Sequence, residues 1–140
     1  MADNVSEDVR RKTMQAIRSQ KTSFENRICK ELWQRGLRFR RNVKDLKGKP
    51  DISIKKYKIA IFLDSCFWHG CPMHCRIPSS NIDYWHKKIE RNRERDKLVN
   101  DHYLRNNWNL LRVWEHEAKS DFDKTVTKIM EFIIDVKNHK

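Results

Sequence analysis

The segment that most constrains the fold lies between Leu63 and Cys75 and reads Leu-Asp-Ser-Cys-Phe-Trp-His-Gly-Cys-Pro-Met-His-Cys. Its thirteen residues hold three of the four cysteines and two of the six histidines of the chain, together with an acid and two adjacent large aromatic residues. Thiolates and imidazoles are zinc ligands, and carboxylates and imidazoles can serve a catalytic metal. Because a bound ion contributes folding energy that a small core cannot easily supply, the segment predicts a site that ties an irregular loop to the body of the protein.

The chain is strongly basic. Its 31 lysines and arginines outnumber its 19 aspartates and glutamates, which gives a formal net charge of +12 and a pI near 9.8. Such a charge makes a polyanion the natural partner, and five tryptophans add to this signal. The composition therefore favours a nucleic acid as the partner.

The length of 140 residues leaves room for one domain with one modest core, so residues 1–140 are expected to form a single unit with a basic N-terminal arm over residues 1–20. The longest apolar run, Ile59 to Leu63, is far shorter than the roughly 18 residues of a membrane span. The first residues lack the features of a signal peptide, and we expect a cytoplasmic protein whose cysteines are thiols or ligands. Cys29, which stands apart from the cluster, is expected to be a buried, inert thiol.

The remaining patterns predict an α/β fold, an α+β sandwich. After the basic arm, Thr22-Ser23-Phe24-Glu25 is a capping box that predicts the start of a second helix, which Gly36 ends. Alternating and apolar runs predict strands at 37–40, 51–54, 57–63 and 108–114, a long charged helix over 79–105 and a last helix over 122–136. A turn near Lys55-Lys56 would make the second and third strands a hairpin. The predicted order is therefore α-α-β-β-β-α-β-α around a small mixed sheet.

Two acids stand at the ends of that hairpin. Asp51 follows Pro50 at the start of one strand, and Asp64 ends the next strand. Two carboxylates that converge at strand ends are hard oxygen ligands for Mg²⁺, which can polarise a phosphate and lower the pKa of an attacking water. The alternative is that Asp51 only begins a strand and Asp64 only caps one, since Pro-Asp alone is a weak signal.

A base and a third acid complete this candidate centre. His69 can accept a proton from water near neutral pH, and its competing role is zinc ligation. Glu25 would hold a metal-bound water if its helix packs beside the sheet. Its competing role is the capping box, which alone would explain a glutamate at that position.

Five side chains are candidate zinc ligands, and any four of them would suffice: Cys66, Cys71, His74, Cys75 and His116. The alternative is a set of scattered reduced thiols, although three cysteines within ten residues are a strong local signal.

The neighbouring rings of Phe67 and Trp68, with Trp85 on the next helix, would form a wedge that enters DNA between base pairs if they project on one side. The alternative is packing around the zinc, which applies to at least one of these three rings.

The motifs together closely resemble the very-short-patch repair endonucleases, the Vsr family, over nearly the whole chain. The matching segments are Arg11-Lys12-Thr13-Met14-Gln15-Ala16-Ile17, Gly48-Lys49-Pro50-Asp51, Cys66-Phe67-Trp68-His69-Gly70-Cys71-Pro72, Tyr84-Trp85, Asn92-Arg93-Glu94-Arg95-Asp96 and Val113-Trp114-Glu115-His116. The resemblance implies a restriction-endonuclease-like fold. It also implies a Mg²⁺-dependent enzyme that nicks one DNA strand 5′ of the thymine in a T:G mismatch, which arises when 5-methylcytosine deaminates.

The resemblance assigns roles at the candidate centre. Asp51 resembles the metal-binding aspartate, Leu63 would give its backbone carbonyl to the Mg²⁺, His69 resembles the histidine that activates water, and Glu25 the acid that orients metal-bound waters. Position 64 is a departure from the family pattern, since some members have histidine where this chain has Asp64. Whether Asp64 would contact the metal directly or through a water stays open. No lysine follows the second acid as in the broader Pro-Asp-(Asp/Glu)-x-Lys nucleases, so water activation would fall to His69.

The resemblance also assigns DNA and zinc contacts. Phe67, Trp68 and Trp85 look like rings that intercalate from the major groove, Met14 like the residue inserted from the minor groove, and Lys88 and Asn92 fall where members contact bases. For the structural Zn²⁺, Cys66, Cys71 and His116 resemble ligands, with His74 the preferred fourth and Cys75 its competitor.

These inferences converge on a mismatch-specific nicking endonuclease of the bacterial cytosol that initiates very-short-patch repair and leaves a 5′-phosphate. Its expected partner is double-stranded DNA containing a T:G mismatch, bound by a monomer, with a mismatch-repair recruitment protein as a further partner. Two alternatives stay open: a nuclease of the same fold that cuts fully paired DNA, and a zinc-containing DNA-binding module without nuclease activity. The flanking recognition sequence and the partner methyltransferase cannot be read from residue types.

Overall fold

The computed structural model describes residues 7–66 and 82–139, without the side chains of residues 7–10 and 17–21 in the first helix. The elements are the helices α1 (Glu7–Gln34), α2 (Ile82–Arg105), α3 (Glu115–Ser120) and α4 (Phe122–Asn138) and the strands β1 (Arg40–Arg41), β2 (Ile52–Ile54), β3 (Ile59–Asp64) and β4 (Asn109–Trp114). Within these residues, no helix combines the length and the apolar composition that a membrane crossing needs.

A mixed four-stranded sheet lies at the centre, with the strand order β1-β2-β3-β4. β2 is antiparallel to both β1 and β3, whereas β3 and β4 are parallel, with Leu63 opposite Val113 and Asp64 opposite Trp114. A parallel pair requires a long crossover, and the chain between β3 and β4 includes α2. The carboxyl ends of β3 and β4 therefore meet at one edge of the sheet, where the ligand-rich segment begins.

The two faces of the sheet carry separate cores. Ile59, Ile61 and Leu63 of β3 belong to the larger cluster, which also contains buried residues of α1 and α4. Ala60 and Phe62 alternate with them and join Val99 and Tyr103 of α2 in the smaller cluster. This alternation in one buried strand is the period of two that places successive side chains on opposite faces. The predicted sandwich of helices around a small mixed sheet is confirmed.

The prediction of two separate helices before the sheet is wrong. One helix, α1, runs from Glu7 to Gln34. The capping box at residues 22–25 marks a helix start only where the preceding chain is not helical, and residues 7–21 contain neither glycine nor proline to interrupt a helix. The capping explanation for Glu25 therefore fails, because this residue lies well inside the helix.

One strand is shorter than predicted, the predicted hairpin turn is confirmed, and one short helix is additional. The strand predicted over 37–40 is only the two residues of β1. The turn of the predicted hairpin is a 3-10 turn over Lys55–Tyr57, after which Lys58 takes a left-handed conformation with φ of 53° and donates its N–H to the Lys55 carbonyl at 3.0 Å. The short helix α3 was not predicted. It begins directly after β4, where the Glu117 carboxylate accepts the backbone N–H of Trp114 at 2.7 Å and so caps its first turn.

Candidate functional site

Asp51 lies against the backbone at the end of β3. Its carboxyl group is buried, and Oδ2 accepts the backbone N–H of Leu63 at 2.7 Å. The β2–β3 register pairs Ile52 with Ile61, so its continuation places Pro50 opposite Leu63. Proline has no N–H, and Pro50 therefore cannot supply the ladder hydrogen bond that the Leu63 carbonyl would receive in a regular antiparallel pair. The Asp51 carboxylate and the Leu63 carbonyl are thus two oxygen donors on neighbouring chain segments, a set that suits Mg²⁺.

Asp64 is the next residue along β3 and is held by an arginine. Both of its carboxylate oxygens accept from Nη1 of Arg112 at 3.0 Å, and only 2% of the residue is exposed. The predicted hairpin therefore brings Asp51 to the backbone that directly precedes Asp64. Arg112 was missed by the sequence reasoning. The available signal was a charge inside an otherwise apolar strand, Leu110-Leu111-Arg112-Val113, since a charge in such a strand requires a partner.

Glu25 lies on α1, one helical turn before Cys29. It is half-buried, and Cys29 is 4% exposed. Burial raises the pKa of the Cys29 thiol to about 11; the nearby Arg41 guanidinium lowers it, and the negative charges of Asp51 and Glu25 raise it further. The carboxylates of Asp51 and Glu25 therefore both lie near the Cys29 thiol. The expectation that Cys29 is buried is confirmed.

Two of the five candidate zinc ligands lie together. Sγ of Cys66 is 3.4 Å from Nδ1 of His116, which follows β4. Bond lengths of about 2.3 Å to sulfur and 2.0–2.1 Å to nitrogen in a tetrahedral zinc site imply a separation of about 3.5 Å between two such donors. These two residues therefore fit Zn²⁺. Within residues 7–66 and 82–139 no group of three or more metal-binding side chains is found, and the other candidates, Cys71, His74 and Cys75, fall outside those ranges.

The rings predicted to form a wedge are only partly described. Trp85 is 2% exposed and packs edge-on against Tyr84, with 4.9 Å between ring centroids. It is therefore buried in this structure, as are Ile89, Val99 and Tyr103 on the same helix. Phe67 and Trp68, like the candidate base His69, lie outside the described residues.

The other predicted DNA contacts lie on the two long helices. Met14 is half-buried on α1, and Lys88 and Asn92 are half-buried one turn apart on α2. Six further lysine and arginine side chains on α2 are exposed to solvent: Lys87, Arg91, Arg93, Arg95, Lys97 and Arg105. Their charge is therefore available to a phosphate backbone.

Comparison with known proteins gives consistent matches. Residues 2–76 match the family model described as DNA mismatch endonuclease Vsr. The type II nicking enzyme V.HpaIIP of Haemophilus parainfluenzae is 40% identical over 134 residues, covering 94% of this chain and 95% of the relative. The type II nicking enzyme V.NaeI of Lentzea aerocolonigenes is 42% identical over 117 residues, 80% of this chain and 70% of the relative. The DNA mismatch endonuclease Vsr of Escherichia coli (strain K12) is 36% identical over 118 residues, 82% and 74% of the two chains.

Proposed function

Because the chain belongs to the Vsr family of DNA mismatch endonucleases, we propose that it is a Mg²⁺-dependent nicking enzyme that cleaves one DNA strand 5′ of the thymine in a T:G mismatch. Such mismatches follow deamination of 5-methylcytosine, so the cut would initiate very-short-patch repair in the bacterial cytosol. The observation that carries the proposal is the 2.7 Å contact between the Asp51 carboxylate and the Leu63 backbone at the end of β3.

Asp51 and the Leu63 carbonyl would hold the Mg²⁺. When bound, this ion polarises the scissile phosphate and lowers the pKa of an attacking water. The Leu63 N–H fixes one oxygen of Asp51, and burial limits the movement of the carboxylate. The protein thus supplies a rigid pair of oxygen donors, which is the arrangement that positions a phosphate for hydrolysis.

His69 would accept the proton of the attacking water, since a neutral imidazole is a competent base near pH 7. Glu25 would accept hydrogen bonds from water at the ion and so orient it. Attack at phosphorus would break the bond to the 3′ oxygen of the preceding nucleotide, which would take a proton from solvent water and leave as the 3′ hydroxyl. The products are a 3′ hydroxyl and a 5′-phosphate.

Recognition of the mismatch would use side chains that enter the base stack or contact bases, together with positive charge that attracts the phosphates. Phe67 and Trp68 would enter the stack from the major groove and Met14 from the minor groove, at a cost of about a few kcal/mol of lost base stacking. Lys88 and Asn92 would contact bases. The net charge of +12 supplies the attraction to phosphates that holds the protein on either kind of duplex.

The structural Zn²⁺ would be held by Cys66, Cys71 and His116, with His74 or Cys75 as the fourth ligand. The 3.4 Å spacing of Cys66 and His116 supports this assignment. Since Cys66 follows β3 and His116 follows β4, the ion would tie the two parallel strands together at the edge where Asp64 lies. It would also fix the start of the segment that carries His69.

The test is a nicking assay with duplexes that contain T:G, paired T:A or another mismatch, each with Mg²⁺ and with EDTA. We expect one strand of the T:G duplex to be cut with Mg²⁺ alone. Equal cutting of the T:A duplex would instead indicate a nuclease for paired DNA. Binding without cutting in all reactions would indicate a DNA-binding module.

A further inference from the structure

Arg112 connects the end of the sheet to α2. Its Nη1 donates to both oxygens of Asp64 at 3.0 Å, and its Nε donates to Oδ1 of Asn100 at 2.6 Å. Its Nη2 lies 3.6 Å from a carboxylate oxygen of Asp96, and the guanidinium stacks over the ring of Phe62 with 4.3 Å to the ring centroid. The plane of the guanidinium is therefore set by the ring below it and by Asn100, and this plane determines where the Asp64 carboxylate is held.

The arrangement is poorly explained by stability alone. The side chains of Arg112 and Asp64 are 18% and 3% exposed, and an apolar pair of similar volume often serves a core as well as a buried ion pair does. Moreover, the buried Nη2 has no hydrogen bond among the described residues. A network that served packing only would be expected to satisfy this donor. The hydrogen bonds of Arg112 instead fix the positions of the two carboxylate oxygens of Asp64.

The position of this network points to the nicking reaction. Asp64 directly follows Leu63, whose backbone N–H is bound by the Asp51 carboxylate. Asp96 and Asn100 lie one turn apart on α2, the same helix that carries the proposed base contact Asn92. The support for Asp64 therefore comes from the helix proposed to lie on DNA.

We propose that Arg112 is a positioning residue of the nicking reaction, which orients the Asp64 carboxylate beside the Asp51–Leu63 oxygen pair without touching DNA or metal itself. The inference rests on the proposed function. Arg112 can orient Asp64 because Asn100 and Phe62 hold its guanidinium in place. A lysine at this position would keep the charge and lose the planar fork.

The experiment compares Arg112→Lys and Arg112→Leu with a matched control, Arg35→Leu. Arg35 is also a partly buried arginine bound to acids, Glu31 at 2.9 Å and Asp123 at 3.0 Å, but its partners lie on α1 and α4, away from the acids at the end of β3. Four quantities are measured: kcat on the T:G duplex, the dissociation constant for DNA in EDTA, Mg²⁺ affinity by calorimetry without DNA, and the thermal unfolding midpoint.

We expect both Arg112 variants to lose about tenfold or more in kcat or in Mg²⁺ affinity, the usual effect of removing a residue that orients a metal-site group. DNA affinity in EDTA should stay within about twofold, since phosphate contacts dominate it. Arg35→Leu should lower the unfolding midpoint and leave kcat unchanged. In the double variant Asp64→Asn, Arg112→Lys, kcat should equal that of Asp64→Asn alone, because the second change has no carboxylate left to orient.

Wild-type kcat and Mg²⁺ affinity in Arg112→Lys would overturn the proposal, as would independent, multiplicative losses in the double variant. If Arg112→Leu does not fold, the Lys variant and Asn100→Ala, which removes only the hydrogen bond to Nε, decide the same question. If the wild-type protein nicks no duplex, the proposed function fails, and Mg²⁺ affinity alone then decides the role of Arg112.

Discussion

Substitution of Gly48 tests whether packing against α2 fixes the position of the segment that leads to Asp51. This glycine has a φ of 74°, and a Cβ added to it would lie 2.8 Å and 2.9 Å from the two γ carbons of Val99. The segment is also held by a hydrogen bond from the Tyr103 hydroxyl to the Lys47 carbonyl at 2.5 Å. Gly48→Ala therefore adds a strained backbone conformation and a steric overlap with a buried helix residue.

The two costs can be estimated separately. The left-handed conformation costs a residue with a Cβ about 1 kcal/mol, and forcing a methyl group into a packed site costs about 1–3 kcal/mol more. The free energy of unfolding should therefore fall by about 2–4 kcal/mol, which for a chain of this size lowers the unfolding midpoint by about 6–15 °C. The overlap can be relieved only if Val99 or the segment moves, and movement of the segment displaces Asp51. We accordingly expect kcat to fall as well.

Gly36→Ala is the matched control. Gly36 also has a positive φ, 98°, but no atom lies within 4 Å of its added Cβ, so only the backbone cost of about 1 kcal/mol applies. The assay is thermal and urea unfolding of both variants, with kcat on the T:G duplex. In a Val99→Ala background the cost of Gly48→Ala should drop towards that of Gly36→Ala. Equal costs for the two glycines, or no relief in the Val99→Ala background, would refute the reasoning.

Four further predictions follow from the site. Asp51→Ala should abolish nicking and leave DNA affinity in EDTA largely intact, with the exposed Asp45→Ala as control; retained cutting would remove Asp51 from the mechanism. Trp68→Ala should weaken binding to the T:G duplex more than to paired duplex, and equal losses in a competition assay would argue for a packing role. His116→Ala should lower the zinc content, measured by elemental analysis, together with the unfolding midpoint, and an unchanged zinc content would exclude this ligand. The raised pKa of Cys29 favours the protonated thiol in the folded state, so its contribution to stability is complete below about pH 9 and is lost as the pH rises through about 11; unfolding curves in which Cys29→Ala removes no part of the alkaline loss would contradict this.

Local sequence patterns were sufficient to predict the helices and strands whose signal lies within a few neighbouring residues. The apolar run Ile59 to Leu63 predicted the buried β3, and the spacing of the apolar residues in 122–136 predicted α4. Local patterns predicted the wrong start for the helix that contains Glu25, because the residues of a capping box can also occur inside a helix. What distinguishes them is whether the preceding turns are helical, which a short motif does not contain.

The sequence by itself determined which residues can carry the chemistry: a carboxylate after proline, a crowded group of thiols and imidazoles, and a surplus of positive charge, all of which depend on residue type and close spacing. Only the tertiary structure decided how distant residues meet. The β3–β4 register brings Arg112 to Asp64 across 48 positions and His116 to Cys66 across 50, and the packing of α2 buries Trp85. Such contacts depend on strand register and on which helix face meets the sheet, and these are set by the combined burial of many side chains rather than by any motif.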